Sequence, residues 1–112
     1  MNDQALREPT LLILTALADA PRHGYAIAQE AEKISQGRTK MRTGTLYGAL
    51  ERLLQQELVA VHEEKVVDGR MRRSYALAPR GRETLAAGAA RIARTAQEAT
   101  RRLGLGGRAV TA

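Results

Sequence analysis

Residues 38–58 read RTKMRTGTLYGALERLLQQEL. Thr43 offers a helix N-cap, because a threonine hydroxyl accepts from a backbone N–H two or three residues on. Leu46, Ala49, Leu50, Leu53 and Leu54 then recur at three- and four-residue spacing, the mark of one buried helix face. The opposite face carries Thr45, Gly48, Arg52 and Gln55, and Arg38, Lys40 and Arg42 lead in. This is a short helix with an apolar back, a small polar front and positive charge at its N-terminal end. A helix that enters a DNA major groove has those properties. So does an ordinary surface helix, and the neighbouring segments must decide.

Upstream, Pro9 sits where the first turn of a helix tolerates it. The run TLLILTALADA that follows is apolar on nearly every side, which predicts a helix buried against more than one neighbour, ended by Ala20-Pro21-Arg22. A second helix is predicted over His23 to Ser35, with Tyr25, Ile27, Ala28, Ala31 and Ile34 as its buried stripe and Gly37 as its C′ stop. Tyr25 reads as a core contact with a wet hydroxyl. His23, with no partner spaced for a metal, reads as a structural or capping group. Two helices joined by a short glycine-containing turn match a helix-turn-helix.

Downstream the period changes. Residues 58–67 are rich in β-branched side chains, Asp68-Gly69 is a two-residue hairpin turn signal, and Arg70 to Leu77 is the return strand. A two-residue turn pairs Lys65 with Arg72, Glu64 with Arg73 and Ala60 with Leu77, and points Tyr75 and Leu77 at the core. A hairpin directly after a helix-turn-helix is a wing. Its arginines Arg70, Arg72 and Arg73 fit phosphate or minor-groove contact, against the plainer reading of a charged edge strand protected from aggregation. Pro79 opens a last helix behind Ala78, a poor cap. Along it Leu85, Ala89, Ile92, Ala96, Ala99 and Leu103 form a heptad seam, half of it alanine, which reads as a dimer interface or as a helix folded back on its own domain. The glycine-rich end from Gly104 reads as a disordered tail.

Composition bounds the function. The chain has 112 residues, no cysteine and a net charge of +6. Without cysteine there is no disulfide framework and no thiolate nucleophile or cysteine zinc site. No apolar run is long enough to cross a membrane and no signal peptide is evident, so the expected location is the cytoplasm, with no membrane partner. Charge is uneven: residues 36–56 carry +3, residues 57–69 carry −3 and residues 70–82 carry +5. Two basic patches around an acidic segment describe a docking surface more than a general coat. Catalysis is not indicated, since His23 and His62 lie on separate elements, Ser35 and Ser74 sit in no nucleophile motif, and the carboxylates show no pairing. No cofactor and no metal ligand set is expected.

Taken together, PRHGYAIAQE, TGTLYGALERLLQQELV and DGRMRRSYALAPRGRETL resemble the PadR-like transcriptional regulators over roughly residues 8 to 85. The resemblance implies a winged helix-turn-helix, a homodimer through the C-terminal helix, and binding to a palindromic promoter site, usually as a repressor. Thr43, Gly44, Thr45, Leu46 and Tyr47 match the recognition-helix motif, which implies that Tyr47 reaches the DNA backbone rather than the core. Gly48 stands where the family often has proline, and Ala78 where a threonine cap is common. Some members bind aromatic drugs between subunits with a tryptophan of the last helix. This chain has no Trp and no Phe, so a small-molecule effector has room but is not indicated. The single C-terminal helix is similar to the family's shorter branch.

The expected architecture is mainly α with a small β-hairpin: a winged helix-turn-helix over residues 1–78, a dimerisation helix over 79–103 and a disordered tail over 104–112. The expected function is sequence-specific DNA binding as a homodimer. Thr45, Gly48 and Arg52 approach bases, Lys40, Arg42, Thr43 and Tyr47 hold phosphates, and Arg70, Arg72 and Arg73 grip backbone or minor groove. Leu85, Ala89, Ile92, Ala96, Ala99 and Leu103 form the dimer seam. The rival expectation is a protein-interaction module that binds a partner regulator through the helix-turn-helix surface and the last helix.

Overall fold

The computed structural model describes residues 6–105. Helix α1 (Glu8–Ala16) is followed by a two-residue strand β1 (Arg22–His23), α2 (Gly24–Ile34), α3 (Thr43–Gln55), the hairpin strands β2 (Val59–Val67) and β3 (Arg70–Leu77), and α4 (Pro79–Arg102). The strands form one antiparallel sheet in the order β1-β3-β2. This is a winged helix-turn-helix with a long C-terminal helix.

The core lies where α1, α2 and α3 meet the base of the hairpin. Ile13, Leu14, Leu17, Ile27 and Leu50 are its largest fully buried side chains. On α3 the expected stripe is the buried one: Leu46, Ala49, Leu50 and Leu53 are buried and Leu54 packs against them. On α2 the stripe is narrower than expected. Ile27 and Ala31 are buried, but Tyr25 is 70 % exposed. Two residues along a helix turn the side chain by about 200°, so Tyr25 points away from the face that Ile27 buries. Ile34 is 42 % exposed at the last turn of α2.

Several ends differ from the sequence reading. Helix α1 stops at Ala16, four residues before Ala20, because the Arg22 Nε donates to the Ala16 carbonyl at 2.8 Å and so caps the helix from outside. Thr43 is not the N-cap of α3. Arg42 holds that position, its carbonyl accepts the first helical bond from the Leu46 N–H at 2.9 Å, and no side chain caps the end. Gly37 is not at C′ of α2. Gln36 takes the left-handed conformation there, and the Gly37 N–H donates to the Glu32 carbonyl at 2.8 Å.

The hairpin turn is as read. Asp68 and Gly69 have φ of 53° and 77°, both positive as a type I′ turn requires. Lys65 faces Arg72 and Glu64 faces Arg73. Nearer the base the register shifts between Val61 and Glu63, so Ala60 faces Ala76, and Leu77 faces Val59 instead of Ala60. His62 is the extra residue of this bulge, and a bulge bends its strand and increases the local twist. Tyr75 is buried and Leu77 packs against the core.

Helix α4 starts on the core and then leaves it. Gly81 and Gly88 are its buried residues and Leu85 packs on the core, whereas Ile92 is 50 % and Leu103 71 % exposed. Gly104, with φ of 77°, ends the helix, and the Leu105 N–H returns to the Thr100 carbonyl at 2.9 Å. Residues 106–112, most of the expected tail, lie outside the described residues. Among the described residues no helix is long and apolar enough to cross a membrane.

Gly81 allows the closest approach in the fold: a Cβ there would overlap the Leu58 carbonyl oxygen, which is backbone and cannot step aside. Gly81→Ala is expected to destabilise the chain by about 3 kcal/mol, the upper end of the usual cost of overpacking. A urea titration measures this, and a loss below about 1 kcal/mol would mean that α4 does not sit this tightly on Leu58.

Candidate nucleic-acid interface

Between the start of α2, the front of α3 and the wing lies a cleft of about 850 Å³. His23, Gly24 and Tyr25 form one wall, Tyr47 of α3 a second, and residues from Val67 to Arg73 with Tyr75 the third. The sheet builds this shape. β1 pairs Arg22 with Tyr75 and His23 with Ser74, so α2 begins directly from the base of β3. Gly24 is required where Tyr47 crosses it, since a Cβ at Gly24 would overlap the Tyr47 hydroxyl. Tyr47 is 44 % exposed and spans the gap between α3 and the start of α2.

The residues read as DNA contacts divide into three groups. Tyr47, Arg70, Arg72 and Arg73 line the cleft. Lys40 and Thr43 line an adjoining recess between α2 and α3 that shares Tyr25 and Tyr47 with it. Arg42, Thr45, Gly48 and Arg52 are exposed on and around α3 outside both. A Cβ at Gly44 would meet nothing, and one at Gly48 only the Arg52 guanidinium at 3.9 Å, so the front of α3 is open to a close-fitting surface. The residues read as a seam lie along α4 and at its C-cap. Ala89, Ile92, Ala96, Ala99 and Leu103 are exposed, and Leu85 alone is turned into its own core.

The cationic groups are not equivalent. Arg38 is tied to Glu8 of α1, and Lys40 lies 3.9 Å from Glu32 of α2. On the wing, Arg73 Nε donates to Glu64 across the strand pair at 2.9 Å. The Tyr75 hydroxyl and the Glu64 carboxylate hold the Arg73 guanidinium in its charged form, raising its pKa. Burial pushes the Tyr75 phenol above its ordinary range, against the pull of Arg73. Arg70 and Arg72 make no ion pair among the described residues.

His23, Gly24 and Tyr25 are the part of the cleft that the sequence reading assigned elsewhere. The signal was present in the spacing, since Tyr25 sits about 200° from Ile27 on a helical wheel. His23 is at the N-cap of α2 without a side-chain cap bond, so it does not cap the helix as one of its two expected roles required. Its Nδ1 and the Oγ of Ser74, its partner in the sheet, are both buried without a hydrogen bond. Among the described residues no three His, Cys, Asp or Glu side chains gather at a spacing that could hold a metal.

Comparison with known proteins places these features in a family. Residues 13–87 match the model of the transcriptional regulator PadR-like family. A transcriptional regulator of Mycobacterium tuberculosis is 43 % identical over 75 residues, which cover 67 % of this chain and 66 % of that protein. An uncharacterized 37.1 kDa protein in a transposon of Streptomyces fradiae is 49 % identical over 75 residues, 67 % of this chain, and the match spans only 20 % of that protein's length. The structure of Bacillus subtilis PadR in complex with operator DNA superposes with a TM-score of 0.62 at 18 % identity, covering 70 % of this chain and 45 % of that one. The matched family is one of regulators and not of enzymes. The chain belongs to the PadR-like family of transcriptional regulators.

Proposed function

We propose that the chain is a sequence-specific DNA-binding repressor that acts as a homodimer on a palindromic promoter site. The observation that carries this reading is the cleft: Arg70 and Arg72, which make no ion pair among the described residues, line it together with Tyr47 of α3, and it is open to a backbone. In this reading one DNA strand runs through the cleft. Arg70, Arg72 and Tyr47 hold its phosphates, with Lys40, Arg42 and Thr43 alongside. The first N–H groups of α3 have no intrahelical partner and favour an anion. Thr45, Gly48 and Arg52 then approach base edges in the major groove, and Arg73, positioned by Glu64, supports the wing. The operator complex of the Bacillus subtilis relative supports DNA as the partner.

The homodimer rests on α4. Residues 79–103 are proposed as the dimerisation arm and residues 1–78 as the reading head. Ile92, Ala96, Ala99 and Leu103 continue, beyond the body, the face that Leu85 and Gly88 bury within it. A second copy of this arm is the occupant that fits, since alanine at three of the six seam positions lets two helices approach closely. Within it α4 has 24 residues, about 36 Å of helix, the same scale as the 34–36 Å between half-sites one turn apart.

Selection of bound fragments from genomic DNA is expected to return a palindrome with half-sites about 10 bp apart or a multiple of that. In gel-shift titrations on that site, Tyr47→Ala is expected to cost about 1.5–3 kcal/mol, the range for a hydrogen bond to a charged group. Arg72→Ala should also weaken binding and lower the magnitude of the log-log salt slope by about one. Unchanged affinity in both variants would sink the DNA reading, and a partner interaction insensitive to salt would favour a protein-interaction module instead.

Gly24→Ala tests the cleft without touching a contact residue. Its new Cβ displaces the Tyr47 hydroxyl, so affinity should fall toward that of Tyr47→Ala. Stability should change by under about 1 kcal/mol, because the obstacle is the end of a half-exposed side chain. Wild-type affinity in Gly24→Ala would remove Tyr47 from the interface. For the arm, Ile92→Glu is expected to give a monomer in sedimentation with its melting transition intact. A dimer that persists would place the interface elsewhere.

A further inference from the structure

Val66 and Met71 face each other across the wing, one pair back from the residues that flank the Asp68–Gly69 turn. Val66 is 69 % exposed and Met71 59 %. Directly opposite side chains on one face of an antiparallel pair lie about 5 Å apart at Cβ, so the two form one apolar knuckle. Single exposed apolar side chains are ordinary. A cross-strand pair near the end of a hairpin is less so, because an apolar strand end invites pairing with other chains. The surroundings are charged. Alternation puts Lys65, Arg70 and Arg72 on the other face, and the Glu64–Arg73 ion pair lies just behind the knuckle on its own face. Met71 also lines the cleft with Tyr25 and Tyr47.

We propose that Val66 and Met71 form a minor-groove reader that selects A·T base pairs. This rests on the DNA-binding function above and adds a determinant of specificity to it. Three arginines within residues 70–73 commit the wing to a polyanion rather than to an apolar partner. Neither Val66 nor Met71 can hydrogen-bond, so their discrimination works by exclusion. The minor-groove floor of an A·T pair presents acceptors only, whereas G·C adds the guanine N2 amino group. An apolar side chain pressed on that amino group leaves a donor covered and unpaired, which is unfavourable. The arginines supply attraction and the knuckle supplies choice.

The test resynthesises the selected site with the base pairs flanking each half-site as A·T, G·C or inosine·C. Inosine lacks the 2-amino group, so inosine·C keeps the major-groove edge of G·C while its minor groove matches A·T. Wild-type protein is expected to bind the G·C duplex about tenfold more weakly than the A·T duplex, and the inosine·C duplex as well as the A·T duplex. The Val66→Ser/Met71→Ser double variant changes exposed side chains and leaves the core intact. It should bind all three duplexes alike, with the salt slope of wild type. Equal wild-type binding to G·C and inosine·C duplexes overturns the reader, as does a preference that survives in the double variant. Loss of dimer in sedimentation with that preference intact would assign the knuckle to a second copy. No wild-type binding to any duplex overturns the DNA-binding function as well, so the two failures are distinct.

Discussion

Three elements meet at one residue. The Leu58 N–H returns to the Leu53 carbonyl at 2.9 Å and closes α3. The Leu58 carbonyl accepts from the Ala78 N–H at 3.0 Å, where the wing becomes the arm, and Gly81 packs against the same oxygen. The Leu58 side chain is buried, and Glu57 before it adopts φ of 62° to turn the chain. Each bond alone contributes only about 1 kcal/mol net. Their value is geometric: the directions of α3, hairpin and α4 are set within a few residues, with no flexible loop between them. A left-handed glutamate costs about 1–2 kcal/mol relative to a relaxed residue, and the chain accepts that cost at the point where the three elements must agree.

The same rigidity reaches the cleft by a second route. Arg22 joins β1 to the end of α1 through its bond to the Ala16 carbonyl, and β1 pairs with the base of β3. The α2 and wing walls of the cleft are thereby anchored to one sheet, and Tyr47, the remaining wall, is fitted against Gly24. A partner that enters meets a formed surface, so little of the binding free energy goes into ordering it.

Local pattern made much of this legible and left the tertiary parts hidden. The α3 stripe could be read because its period repeats over three turns, and the wing tip because Asp68-Gly69 specifies a turn by itself. The bulge at His62 could not, since it depends on how β2 meets the body rather than on the residues of the hairpin. A two-residue strand has no period, so β1 was invisible, and with it the placing of His23 and Tyr25 at the cleft. The end of α1 was set by a guanidinium six residues on, which outweighed the apolar run that continued past it. The candidate contacts on α3 and the wing were legible as charge and spacing. The partner of Arg73 was legible too, since the two-residue turn sets Glu64 opposite it, but those of Arg38 and Lys40 were not, because their carboxylates lie on α1 and α2.

That pairing gives the acidic segment a role. Glu63 and Glu64 lie on β2, and β3 stands between β2 and β1, on whose side the cleft opens. Glu63 pairs with Lys65 at 3.6 Å and Glu64 with Arg73 at 2.9 Å, both at exposed positions. Exposed ion pairs of this kind contribute about 0–1 kcal/mol, so stability does not explain them. Orientation does: Glu64 holds Arg73 along the strand beside Tyr75 instead of leaving it to swing freely. The wing is thus graded, neutralised toward its base, with Arg70 and Arg72 near its end in no ion pair among the described residues. Screening confines exposed charges to about 8–10 Å at physiological salt. A charged surface therefore acts through the cations nearest its partner, and on this wing Arg70 and Arg72 are the arginines that make no ion pair among the described residues.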